Sequence, residues 1–233
     1  MEMDRAFSIG KLLAEIDGLL KTGEDARAEA RLVEAVSGYA EANPDDIVGQ
    51  SVLFNELGGF YRNKGRFDKG EAAYWKAKEL LEQSADTNEN WIWNYATTLN
   101  NLAGLYRMDG QLQKAAELFD RAIEAYEHCQ QELAPDYLAS AYNNKGLVCL
   151  DLREADKAKA LFLKAKAVLE RTEKNPYAMG TTLSNLGFAA VIEKEFSKAI
   201  ALFREAEALF RETGDWEMAR RCKEFASRLE ARR

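Results

Sequence analysis

Residues 98–122 read TLNNLAGLYRMDGQLQKAAELFDRA, and the spacing of their apolar residues decides the fold. Leu99, Leu102, Ala103 and Tyr106 precede Gly110; Ala115, Phe119 and Ala122 follow it. Steps of three and four place each set on one face of a helix, whereas a strand would alternate. Gly110 falls between the halves, where a tight turn wants a glycine. The stretch therefore reads as a helical hairpin, an A helix followed by a B helix.

Three more segments align with it without gaps. They are LFNELGGFYRNKGRFDKGEAAYWKA from Leu53, AYNNKGLVCLDLREADKAKALFLKA from Ala141 and TLSNLGFAAVIEKEFSKAIALFREA from Thr182, so the starts are spaced by 45, 43 and 41 residues. An apolar or aromatic residue recurs at Phe54, Leu99, Tyr142 and Leu183, and a small one four positions on at Gly58, Ala103, Gly146 and Gly187. The next core position holds Tyr61, Tyr106, Cys149 and Ala190. Each second half carries a small residue (Gly70, Ala115, Ala158, Ala199), then an aromatic (Tyr74, Phe119, Phe162, Phe203), then Ala77, Ala122, Ala165 and Ala206. Small residues let paired helices approach closely, and the aromatic fills the gap between hairpins. Gly65 marks the turn of the first copy, and Pro44, Pro135 and Pro176 stand ahead of A helices, where a missing N–H costs nothing.

The flanks extend the plan. Leu12, Ile16, Leu19, Gly23, Ala28, Leu32 and Ala35 outline a degenerate repeat in which Glu15 replaces an expected leucine. Trp216, Cys222, Phe225 and Leu229 form an apolar stripe backed by charges, as expected of a helix that closes a stack with one polar outer face. The expected division of the single domain, 1–233, is a degenerate repeat at 1–45, full repeats at 46–88, 89–133, 134–174 and 175–213, and a capping helix at 214–233. That is an all-α solenoid of antiparallel helix pairs, about five hairpins plus the cap, or about 11 helices.

FNELGGFY at Phe54–Tyr61 nearly reproduces the first half of the tetratricopeptide pattern, W-x2-L-G-x2-Y followed by A-x3-F and A. The chain resembles that repeat family from Val52 to Arg211, and TTLNNLAGLYRMDGQLQKAAELFDRAI is similar to the long repeats of kinesin light chain. The family's final proline is replaced by Glu82, Glu127, Glu170 and Arg211, and the period exceeds the usual 34, which suggests longer helices and joints. The resemblance implies a right-handed superhelix with A helices on its concave side. It also implies a protein or peptide ligand in that concave groove.

Asn100 and Asn101 are poor helix formers in the middle of an A helix. At roughly 100° per residue they lie roughly 110° and 150° from the centre of the packing face. The same slots hold Asn55 and Glu56, then Asn143 and Asn144, then Ser184 and Asn185. Each amide offers a donor and an acceptor, so the row either pairs with the backbone of an extended ligand or bridges neighbouring A helices. Gly59 and Gly104 leave room beside it, Arg62 and Arg107 add positive charge, and Leu147, Phe188, Val191 and Ile192 make the C-terminal half apolar. The candidate partner-binding groove is thus Asn55, Arg62, Asn100, Asn101, Arg107, Asn143, Asn144, Leu147, Asn185 and Phe188. The family's carboxylate clamp for chaperone tails is not expected, because Thr97, Ser140, Thr181 and Asn144 occupy slots where that clamp has Lys or Arg.

Composition bounds the rest. The 233 residues are 47% hydrophobic and 30% charged, an ordinary globular balance. A net charge of −7 argues against nucleic acid, and the basic C-terminal stretch Arg220–Arg233 is interrupted by Glu224 and Glu230. No apolar run approaches the ~18 residues of a membrane span. MEMDRAFSIGKLL has no secretory h-region, and the three cysteines, Cys129, Cys149 and Cys222, form no CxxC. The expected location is cytoplasmic. A lone histidine, His128, and the lack of a phosphate loop or zinc motif leave no catalytic residue, metal or cofactor to name. Trp75, Trp91 and Trp93 either pack in the long joint or form a patch for self-association. The expected function is a non-enzymatic scaffold for a peptide or extended protein segment. The alternative is a peptide-responsive regulator that changes curvature on binding.

Overall fold

The computed structural model describes residues 9–85, 87–172 and 175–231. Residues 1–8 of the MEMDRAFSIGKLL stretch, and Arg232 and Arg233 of the basic tail, lie outside the described residues. Among the described residues there are eleven helices and no strand: α1 Ile9–Lys21, α2 Asp25–Ala42, α3 Ile47–Asn63, α4 Phe67–Gln83, α5 Glu89–Met108, α6 Leu112–His128, α7 Ala134–Asp151, α8 Ala155–Leu169, α9 Pro176–Ile192, α10 Phe196–Glu212 and α11 Trp216–Glu230. The odd-numbered helices α3 to α9 are the A helices of the full repeats. None of the described helices is long and apolar enough to cross a membrane.

Two compact units divide the chain, Met1–Leu105 and Tyr106–Arg233. In the first, Leu12, Ile16, Ala28, Leu32 and Ala35 of the degenerate repeat join Leu53, Leu57, Phe60, Tyr61 and Ala73 in one core. Glu15, the residue out of pattern there, meets Arg31 in a two-pronged pair at 3.0 and 3.1 Å. In the second unit, α7 packs on α8, α9 on α10 and α10 on α11. Its core runs from Cys149 and Phe162 through Phe203 and Phe210 to Ala226.

The aromatic slot of the B helices explains the small slot of the A helices. Tyr74, Phe119, Phe162 and Phe203 are all fully buried. A Cβ on Gly58 would lie 2.7 Å from the Tyr74 ring, and one on Gly187 2.8 Å from Phe203, so the ring occupies the space a side chain would need. Helix starts are capped where the sequence offers a short polar side chain. Asp46, Asn175 and Asp215 accept from the N–H groups of Gly49, Ala178 and Met218 at 2.9, 3.0 and 3.0 Å.

Every A-to-B turn of the four full repeats ends its A helix the same way. The N–H groups of Arg66, Gln111, Glu154 and Glu195 reach back to the carbonyls of Tyr61, Tyr106, Cys149 and Ala190 at 2.8–2.9 Å. That bond needs a left-handed residue, which is Gly65 and Gly110 in the first two turns but Arg153 (φ 64°) and Lys194 (φ 61°) in the last two. A side chain in this region costs roughly 1–2 kcal/mol, part of which glycine returns as unfolded-state entropy. Arg153→Gly and Lys194→Gly should therefore each raise stability by up to about 1 kcal/mol, read as a higher denaturant midpoint at constant m. An unchanged or lower midpoint would mean the side chains make compensating contacts.

The cap departs from the sequence expectation at one residue. Ala219, Cys222 and Ala226 of α11 are buried, and Phe225 and Leu229 pack on the same core, but Trp216 is 68% exposed. At 100° per residue Trp216 falls roughly 100° from the stripe the others form, so it cannot share in covering the last repeat.

Candidate functional site

The A-helix faces carry the candidate site, and each unit contributes its own. Asn55 and Asn143, in the first asparagine slot, are buried between A helices. Asn55 Nδ2 donates to the Ser51 carbonyl at 3.2 Å and to Thr98 Oγ1 at 2.6 Å, linking α3 to α5. Asn143 Nδ2 donates to Thr182 Oγ1 at 2.8 Å, linking α7 to α9, and its Oδ1 accepts from Asn185 Nδ2 at 3.2 Å. Thr182 Oγ1 passes the chain on to the Ala178 carbonyl at 2.9 Å. These side chains therefore hold neighbouring hairpins together. In the second slot Asn101 and Asn144 are only half-buried and Glu56 is exposed, while Asn185 is buried beside Asn143.

Between α7 and α9 lies a cleft of about 440 Å³, lined by residues that include Tyr137, Ser140, Asn144, Leu147, Tyr177 and Thr181, with Asn143 and Asn185 among them. Tyr137 and Tyr177 lie in the first turns of the two helices and are 39% and 51% exposed. Tyr177 is braced by an edge-on contact with Phe210 at 5.7 Å. The one charged lining residue, Asp136, accepts from Asn175 Nδ2 at 2.8 Å, which ties the start of α7 to the cap of α9. The cleft is thus aromatic and amide-rich, and its carboxylate is already engaged. The tyrosines fall outside the aligned repeat segments, which is why the repeat pattern did not single them out. The only signal was an aromatic within two residues of each helix-starting proline.

The remaining predicted groove residues divide. Arg107 Nε donates to Asp151 Oδ2 at 2.8 Å, so its charge is matched. Arg62 makes no ion pair with any described residue. Leu147 lines the cleft. Phe188 packs edge-on against Phe203 at 5.1 Å and Phe225 at 4.9 Å, as part of the core that α11 closes. Asn100 is half-buried, and its Oδ1 is enclosed without a hydrogen-bond partner. In the long joint, Trp91 donates its indole N–H to the Leu81 carbonyl at 2.7 Å and stacks on Tyr95 at 4.8 Å, which is packing; Trp75 is 43% exposed with Lys78 over its ring.

Burial raises the thiols of Cys149 and Cys222 above the ordinary cysteine range, with a hydrogen bond from the latter to Ser184 opposing the shift. His128 lies exposed near the end of α6, its Nδ1 2.7 Å from the Glu124 carbonyl. No group of three His, Cys, Asp or Glu among the described residues is placed to hold a metal ion.

A family profile described as tetratricopeptide repeat matches residues 50–128 and 137–212. The chain belongs to the tetratricopeptide repeat family. Its members are generally protein-interaction scaffolds. No curated protein sequence matches it. Among solved structures, the apo form of RapI superposes with a TM-score of 0.74 at 16% identity, over 91% of this chain and 73% of that one. BtubC (BKLC) from P. vanneervenii gives 0.65 at 18% identity, over 90% and 91%. A Podosopora anserina protein described as a kinesin light chain with nearly identical TPR-like repeats gives 0.63 at 17%, over 91% and 99%. At these identities the likeness is one of fold, and it includes the long-repeat variety that the 41–45-residue spacing suggests.

Proposed function

We propose that this tetratricopeptide repeat protein is a non-enzymatic scaffold that takes an extended segment of a partner protein along its A-helix faces. Its principal seat is the cleft between α7 and α9. The observation that carries this reading is the pairing of a floor already satisfied by its own hydrogen bonds with a rim that is not part of them. Asn143, Asn185 and Thr182 fix the floor without help from a ligand. Asn144 and Ser140 at the rim offer donors and acceptors to a peptide backbone, and Thr181, whose hydroxyl donates to the Tyr177 carbonyl at 3.1 Å, offers an acceptor. Tyr137 and Tyr177 supply rigid, amphipathic contact area at low entropic cost. With Asp136 held by Asn175, the cleft suits an uncharged stretch that places an apolar side chain between the tyrosines. The net charge of −7 makes nucleic acid an unsuitable partner, and free cysteines fit a cytoplasmic setting. A peptide-responsive regulator would use the same cleft, since an occupant there would bias the spacing of neighbouring hairpins. No observation favours it over the scaffold.

The test is the double substitution Tyr137→Ala, Tyr177→Ala. Both side chains are exposed, so the melting temperature should move by only a few degrees, since substitutions at exposed sites usually cost about 0.5 kcal/mol or less. Affinity for partners captured by the wild-type chain should fall by about tenfold or more, as for loss of aromatic anchors. Capture of the same partners at unchanged affinity would place the interaction on another face.

A further inference from the structure

We propose that the partner segment seated in the tyrosine cleft carries a lysine or arginine beside its apolar residue, and that Glu132 and Asp136 take that cation in a hollow next to the cleft. The inference rests on the scaffold reading and adds the partner's charge pattern.

Asp136 and Asn175 line the tyrosine cleft and also a second hollow of about 430 Å³ at the starts of α7 and α9. Glu132, Thr172 and the helix-starting prolines, Pro135 and Pro176, are among the residues that complete it. A chain that leaves the cleft across the Asp136–Asn175 bridge enters this hollow. The two spaces differ in charge. The cleft is aromatic and amide-rich, whereas the hollow is lined by two carboxylates and, among the described residues, by no cation. Arg171 lines a neighbouring hollow with Tyr126 and Cys129, not this one.

Neither carboxylate is neutralised. Glu132 is exposed in the joint before α7 and makes no ion pair with a described residue. Asp136 accepts from Asn175 Nδ2 through Oδ2 and leaves Oδ1 open. An amide donor carries no net charge, so that bond fixes Asp136 without cancelling it. Asn175 is in turn held by capping α9 at the Ala178 N–H, at 3.0 Å. The N-terminal ends of α7 and α9 place about half a positive charge each near the hollow. The two carboxylates outweigh them by about one charge, so a single cation completes the balance.

A separate observation points to an occupant of the cleft itself. Asn185 is 8% exposed and donates through Nδ2 to Asn143 Oδ1. That bond holds the floor but leaves one acceptor over. Asn185 Oδ1 accepts no hydrogen bond, and unlike Asn55 Oδ1 and Asn100 Oδ1 it is not sealed from the space it faces. Buried acceptors are nearly always paired, and a backbone N–H of an extended segment in the cleft supplies the donor. Asp136 and Tyr137 are consecutive in the first turn of α7, so the hollow opens within a residue or two of the aromatic rim. An extended chain advances about 3.3 Å per residue, and a flexible lysine stem covers the remainder.

Three acetylated and amidated pentapeptides, X-Ser-Leu-Ser-X with X as lysine, glutamine or glutamate, test this on the full chain. Leucine is the residue for the cleft, and X on both sides serves either chain direction. Titrations are followed at the backbone amide NMR signals of Asn144, in the cleft, and Glu132, in the hollow. The lysine peptide should bind about threefold to tenfold tighter than the glutamine peptide, the scale of one or two partly exposed ion pairs, and the glutamate peptide weakest. The Glu132 signal should move with lysine and not with glutamine. The isosteric double variant Glu132→Gln, Asp136→Asn should erase the lysine advantage, which separates the hollow from general attraction to a chain of net charge −7. Equal affinities for the lysine and glutamine peptides, a Glu132 signal unmoved by lysine, or an advantage that survives in the double variant would overturn this inference and leave the cleft standing. An Asn144 signal unmoved by all three peptides would overturn the cleft as the seat, and this inference with it.

Discussion

Removing residues from Asp215 onward should leave a chain that aggregates or melts far below wild type. Helix α11 buries Ala219, Cys222 and Ala226 and adds Phe225 and Leu229 to the core of the second unit. Without it Phe188 and Phe203 lose the Phe225 ring, which meets the first edge-on at 4.9 Å and stacks on the second at 5.5 Å. Full burial of one large apolar side chain is worth roughly 1.5–3 kcal/mol, so the combined loss is on the order of 5 kcal/mol. That is a large share of the roughly 5–15 kcal/mol by which domains are stable. Repeat arrays also need a polar end to stay soluble. An ion pair, Arg204–Glu230 at 3.0 Å, also ties the cap to α10 from outside, but exposed pairs contribute little. Calorimetry together with light scattering checks the prediction; a truncated chain that stays monomeric and melts as wild type would make α11 an independent arm. Trp216→Ala, by contrast, should cost almost nothing, because that side chain is in solvent.

The helix pairs were legible in the sequence because packing imposes a period. Close approach demands a small residue at Gly58, Gly146 and Gly187, and an aromatic must fill the space opposite, so both recur at fixed offsets. The turns were legible only where glycine marks them. Arg153 and Lys194 adopt the same left-handed conformation with nothing in their identity to announce it, because the surrounding hydrogen bonds impose it. At the candidate site the helical wheel separated the packing face from the rest but could not divide the rest. Asn143 and Asn144 are both off the packing face, and what buries one and not the other is the neighbouring A helix, which a single-helix projection does not contain. Arg107 and Arg62 are equivalent in sequence, yet Asp151, 44 residues further on, neutralises the first. Tyr137 and Tyr177 lie in the joints, where no repeat offset applies.

That division of the asparagines is the centre of the account. Asn143→Ala should destabilise the free chain strongly. It removes the donor to Thr182 and the acceptor for Asn185, and leaves a buried amide unpaired. Unsatisfied buried groups cost roughly 1–3 kcal/mol each, so the expected loss is about 2–4 kcal/mol. Asn144→Ala should leave the free chain within about 0.5 kcal/mol of wild type or slightly more stable, since alanine is the better helix former and the site is open. Its cost should appear in partner affinity instead. The most direct measurement is the thermal melt of these two single variants, each alone and each with a captured partner. The account predicts a large drop for Asn143→Ala in the free melt, and for Asn144→Ala a normal free melt with loss of the partner's stabilising shift. Equal free melts for the two variants, or an undiminished partner shift in Asn144→Ala, would contradict it.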